Sequence, residues 1–209
     1  MPRIYACVFN RDAATGNRSV LIGKKRIQAR WLNWNSASYD VPFQHPSVQV
    51  SNRVPYDITD NPGQPVFSGG EQNIAEQEVL EGDKRFWEDT GIDLLSLYPG
   101  HTMSIPSYPG TIKRFTNEGQ PVATGQPPAF TAVYFELPQA LYQAVYMQAF
   151  TNILYNNLTS RPPNMQNDEL DFICSMPQAD AAQWFTDANI SSCRNRCTDR
   201  FNVILRNLP

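Results

Sequence analysis

Two glycines, Gly70 and Gly91, bracket a segment in which Ile74, Val79, Leu80, Phe86 and Trp87 recur at helical spacing while acids crowd the positions between them. Apolar residues at this period form one face of an amphipathic helix, and a glycine after the last helical position is a common stop. The pattern predicts a helix over residues 71–90. On such a helix Glu88 and Asp89 lie three and four positions after Arg85, so all three share a face, with Glu81 one turn upstream and Glu78 beyond it. Carboxylates this close are hard oxygen donors suited to Mg²⁺ or Mn²⁺, ions that keep several waters and take other ligands from substrate phosphates. A diphosphate is the ligand such a site expects.

Around this helix the chain carries β-prone runs and further helical ones. Residues 3–10 and 19–26 carry Ile4-Tyr5-Ala6-Cys7-Val8-Phe9 and Val20-Leu21-Ile22, separated by Asp12, Gly16 and Asn17, and predict an opening β-hairpin. From 31 to 70 the chain is rich in Asn, Ser, Pro and Gly, with Val48-Gln49-Val50 and Pro65-Val66-Phe67 as short strands. A long irregular stretch over 98–128 is broken by a strand at 111–115. Further strands are expected at 130–137 and 170–176, and helices at 138–154 and 178–185. Residues 201–208 form a last apolar element whose type the pattern leaves open.

The helical segment and its flanks resemble the Nudix box, G-x5-E-x7-R-E-U-x-E-E-x-G-U, where U is a bulky apolar residue. Gly70 stands at the opening glycine, Glu76 at the first glutamate, Lys84 at the arginine and Phe86 at the apolar position. Glu88 and Asp89 stand at the paired acids, and Gly91-Ile92 at the closing pair. Lys84 for Arg and Asp89 for Glu are mild departures. Arg85 is a larger one, because a guanidinium replaces a carboxylate that the family lends to its metal. The segment from Pro65 to Gly70 is similar to the strand that enters the box, and Glu169–Pro177 to a late strand of the family.

The resemblance implies an α/β/α sandwich with a mixed sheet, formed by a single domain over residues 1–209. Insertions are then expected near 31–60, 98–128 and 140–163, the last an added helix. It also implies divalent-metal-dependent hydrolysis of a nucleoside diphosphate linked to another moiety, in a pocket beside the box helix. The metal, Mg²⁺ or Mn²⁺, would rest on Glu88 and Asp89 with Glu76 and Glu81 in support, and Asp168 or Glu169 as further donors. Gly70 and Arg85 would face substrate, with Arg85, Glu88 and Asp89 forming the catalytic set. Arg85 can instead satisfy the carboxylates itself, since Arg–carboxylate bonds are strong and often bidentate. The alternative is therefore a catalytically inactive Nudix-like domain that binds a nucleotide or a protein.

Composition limits the partners further. The net charge of −3 offers no basic field for duplex nucleic acid. No apolar run reaches the roughly 18 residues that span a bilayer. Neither a signal peptide nor a dense disulfide framework is legible in the spread of Cys7, Cys174, Cys193 and Cys197, so a cytoplasmic setting is expected. Cys193 and Cys197 have i, i+4 spacing, but His45 and His101 are too distant in sequence to complete a zinc site with them readily. Trp31, Trp34 and Tyr39 fall in a loop-rich region from which a base-stacking ring could project, although packing is the commoner role. The helix at 138–154 carries few charges and can pack on the sheet or on a second subunit, leaving homodimerisation open.

Overall fold

The computed structural model describes residues 2–25, 28–29, 57–58, 64–73, 77–97, 111–159, 170–184 and 196–209. Strands β1 (Arg3–Arg11) and β2 (Arg18–Lys25) form the expected antiparallel hairpin, with Phe9 opposite Val20 and Arg11 opposite Arg18. Its turn is set by Asp12, whose carboxylate accepts from the backbone N–H groups of Ala14 at 3.0 Å and Thr15 at 2.7 Å. Gly16 supplies the left-handed residue of this turn at φ 72°.

Strands β3 (Gln28–Ala29) and β4 (Asp57–Ile58) pair with each other outside the main sheet. The main sheet takes in β5 (Pro65–Val66), β6 (Ser68–Glu71), β7 (Thr111–Phe115), β8 (Phe130–Glu136) and β9 (Leu170–Pro177) with the hairpin. It is mixed: β1 runs parallel to β8 and antiparallel to β2 and β6, while β7 is antiparallel to β8. One edge of β1 is shared, since residues 9–11 pair with β2 and residues 3–6 pair with β6. The hairpin strands therefore part, and β6 fills the gap. That approach needs glycine at 69, where a Cβ would lie 2.4 Å from the Tyr5 ring and 2.7 Å from the Ile4 carbonyl oxygen.

Helices α1 (Glu78–Thr90) and α2 (Gln139–Thr159) cover one face of the sheet, and α3 (Gln178–Trp184) and α4 (Arg196–Arg206) the other. Ile4, Val8, Val133 and Phe135 of the sheet pack with Phe86 of α1 and with Tyr142, Val145 and Ile153 of α2. On the opposite face Tyr5, Phe9, Val20 and Tyr134 pack with Phe201, Ile204 and Leu205 of α4. Phe67 stacks on Phe201 at 4.7 Å, and the Tyr134 hydroxyl donates to the Ile204 carbonyl at 2.9 Å. Full burial of each such side chain contributes about 1.5–3 kcal/mol. The expected α/β class with a mixed sheet and helices on both faces is what the structure has.

Three boundaries differ from the sequence reading. The box helix begins at Glu78 rather than at 71, because Ser68–Glu71 is a strand held by β1. Helix α2 runs on to Thr159, beyond 154. The last element is a helix, beginning at Arg196. The strand expected at 48–50, most of the 31–60 insertion, residues 98–110 and residues 160–163 lie outside the described residues.

Candidate functional site

Helix α1 is built around ionisable residues that are buried: Glu81, Asp83, Arg85, Glu88 and Asp89. Its first turn carries Glu78 and Glu81, which suit the positive end of the helix dipole. Its last turn carries Glu88 and Asp89 with no basic residue, against the dipole, so helix stability does not account for that pair. Glu78 is fixed from the sheet: the Arg114 guanidinium of β7 grips both its oxygens, one of them at 2.8 Å. The far end of α1 closes on Gly91, left-handed at φ 74°, whose N–H donates to the Trp87 carbonyl at 2.7 Å.

Arg85 lies at the centre. Its Nη2 donates to Glu81 Oε1 at 2.6 Å and its Nη1 to Glu88 Oε2 at 2.8 Å. Nη2 also donates to the backbone oxygen of Glu71 at 2.6 Å, so the same guanidinium ties α1 to β6. Glu81 is fully buried and Arg85 is 9% exposed. Burial works against the charge on Arg85, but attraction to Glu88 and Glu81 and the hydrogen bonds they accept outweigh it, raising its pKa above the ordinary arginine value. Lys84 adds a longer contact, with Nζ 3.7 Å from Glu81 Oε2.

The glycine that opens the box has a local reason. A Cβ at Gly70 would lie 3.0 Å from both Cζ and Nε of Arg85, so the strand backbone and the guanidinium lie against each other. Gly82 serves the same end on the helix, where a Cβ would approach Val133 of β8 to 3.0 Å. The sequence reading gave Gly82 and Asp83 no role. Asp83 Oδ1 accepts from the Leu94 N–H at 2.7 Å and so fixes the chain that leaves α1. A glycine inside an otherwise helical run was the available signal for the first. No local signal distinguished Asp83 from the other acids.

The sequence-derived site is thus brought together around Arg85, with Glu81, Glu88 and Gly70 in direct contact. Asp89 is buried on the same helix. Glu76, Asp168 and Glu169 lie outside the described residues, as do His45, His101, Trp31, Trp34, Tyr39 and Cys193; of the Cys197 side chain nothing is described. Arg85 takes one oxygen of each carboxylate, Oε1 of Glu81 and Oε2 of Glu88, so a divalent ion on these two residues would share both of them with the guanidinium. A carboxylate that already accepts from Arg85 is a weaker ligand for Mg²⁺ or Mn²⁺ than one without a cation beside it. Among the described residues no group of three or more His, Cys, Asp or Glu side chains is placed to hold a metal ion. Nor is any helix among them long and apolar enough to cross a membrane.

No family model matches the chain, and no curated protein does. Solved structures do align with it. One is a MutT/Nudix family protein from Listeria innocua, at 9% identity and TM-score 0.39, covering 88% of this chain and 83% of that one. Another is a C. elegans Ap4A hydrolase in a binary complex, at 12% identity and TM-score 0.38, covering 99% of this chain and 98% of that one. A third is T. brucei MERS1 in complex with RNA, at 11% identity and TM-score 0.36, covering 92% of this chain and 55% of that one. Superpositions at this level carry no argument about chemistry, which rests on the residues of this chain.

Proposed function

We propose that this chain is a Nudix-like domain that binds a nucleoside diphosphate derivative without hydrolysing it, Arg85 serving as the cation of the acidic centre. The observation that carries the reading is the pair of bonds from Arg85 to Glu81 and Glu88 at 2.6 and 2.8 Å within a buried site. A hydrolase of this kind uses a divalent ion to neutralise developing phosphate charge and to activate water. Here a fixed guanidinium neutralises the carboxylates instead. A guanidinium carries no exchangeable water to ionise, so a centre held by Arg85 alone does not generate the nucleophile as a metal ion does. The choice of a nucleotide rests on the resemblance of residues 70–92 to the Nudix box.

Product release and equilibrium binding, measured over a panel of nucleoside diphosphate derivatives with Mg²⁺, Mn²⁺ or EDTA, test the reading. The expected result is binding of at least one derivative that is insensitive to EDTA, with no turnover. Metal-dependent turnover that vanishes in Glu88→Gln would overturn it in favour of a hydrolase. Absence of binding across the panel would remove the nucleotide and leave a protein-binding domain.

A further inference from the structure

The face of α2 that points away from the sheet is itself built for packing. Charged residues make up 18% of the chain, yet the 21 residues of α2 include no Asp, Glu, Lys, Arg or His. Tyr142, Val145, Ala149 and Ile153 bury one side of the helix against the sheet. On the other side Ala140, Ala144, Met147, Thr151 and Leu154 are exposed, at alternating spacings of four and three. That is the spacing at which one helix presents a continuous seam to another. Met147 and Leu154, 57% and 46% exposed, join Phe172 of β9, 44% exposed, as the large apolar side chains most open to solvent among the described residues. Phe150 links the two elements, its ring edge-on to that of Phe172 at 6.0 Å.

We propose that this face binds a second copy of the chain, α2 against α2, as a two-fold dimer. The argument is one of charge. In a two-fold contact a surface meets itself, so a charged side chain near the axis faces its own like charge. This seam holds none. Its flanks are the exposed Gln143 and Gln148, uncharged amides that both donate and accept, the Gln148 Nε2 already donating to Asn152 Oδ1 at 2.8 Å. The nearest acid on β9, Asp171, is paired with Lys24 at 3.6 Å. A partner recognised by charge would find nothing on α2 to read, whereas an identical seam matches it in spacing and polarity.

Sedimentation equilibrium of the full chain tests this directly. The wild type should move with concentration from 23.7 kDa towards twice that mass. Met147→Glu and Leu154→Glu, at exposed positions, should keep the wild-type circular dichroism and weaken self-association at least about 100-fold, since each buries an uncompensated charge. Glu118→Lys, an exposed charge change in the turn after β7, should associate like the wild type. Should either seam variant fail to fold, Thr151→Arg decides in its place. A wild type that stays at the chain mass at all concentrations, or a seam variant that dimerises as well as the wild type, overturns the proposal.

Discussion

Helices α1 and α2 pack on the same face of the sheet, yet they are made of opposite materials. Helix α1 buries Glu81, Asp83, Arg85, Glu88 and Asp89, whereas α2 has no charged residue and buries Tyr142, Val145, Ala149 and Ile153. Buried ion pairs are poor value as stabilisers, because removing charges from water costs several kcal/mol per ion and apolar residues of the same volume often do as well. α2 shows that this side of the sheet can be covered without them. The ionic centre of α1 is thus not a requirement of the fold, and its placement against the helix dipole at Glu88 and Asp89 points the same way.

The sharpest way to break that contrast is to remove Arg85. Arg85→Ala leaves Glu81 and Glu88 buried without their guanidinium, and should cost about 3–5 kcal/mol in denaturant unfolding. The corresponding loss in Tm is ~10 °C for a chain of this size. Replacing the set together, Glu81→Leu, Arg85→Met and Glu88→Leu, should recover most of that loss. If the triple variant is as unstable as Arg85→Ala, the ionic centre is structural and the contrast with α2 fails.

The two helices also meet. Asn152 of α2 donates through Nδ2 to the Thr90 carbonyl at the end of α1, at 2.7 Å and fully enclosed. Asn152→Ala should cost about 1–3 kcal/mol, the penalty of leaving that buried carbonyl without its donor. A loss equal to that of Arg85→Ala would show that the helix junction, rather than the charges, sets the stability of α1.

A smaller effect separates the polar contacts of α2 from its apolar ones. The Tyr142 hydroxyl and Ser175 Oγ of β9 are 2.8 Å apart. Tyr142→Phe should cost about 0.5–1.5 kcal/mol near neutral pH. Burial pushes the Tyr142 phenol far above its ordinary value, its hydrogen bond to Ser175 opposing this only in part. A folded-state pKa raised in this way gives a contribution fully present below the unfolded phenol value of about 10 and lost as pH rises beyond it. Wild-type stability should therefore fall more steeply than that of Tyr142→Phe in alkaline titration.

What the sequence disclosed follows the range of the forces involved. The hairpin was legible because Asp12 and Gly16 act within the turn they shape. The neighbourhood of Arg85 and Glu88 was legible because i, i+3 spacing on a helix is local. The start of α1 was not. Gly69-Gly70-Glu71 has little strand propensity, and its extended form comes from pairing with Ile4 and Tyr5, far away in the chain. For the same reason the sequence showed neither the Glu71 carbonyl as a partner of Arg85 nor the packing of Gly70 against it. It placed the acids near one another and left open whether a metal or Arg85 would hold them.

The mildest substitution gives the finest test of that answer. Lys84 stands where the Nudix pattern has its arginine, and it reaches the same Glu81 that Arg85 holds. Its contact is 3.7 Å, beyond hydrogen-bond length, against 2.6 Å for Arg85. If bonding geometry holds Glu81, Lys84→Gln should cost about 1 kcal/mol, well short of Arg85→Ala, although both ends of the contact are largely enclosed. If the number of cations is what matters, it should approach the cost of Arg85→Ala. Denaturant unfolding of the two variants side by side separates the cases. A small loss for Lys84→Gln beside a large one for Arg85→Ala would assign the acidic centre of α1 to a single guanidinium.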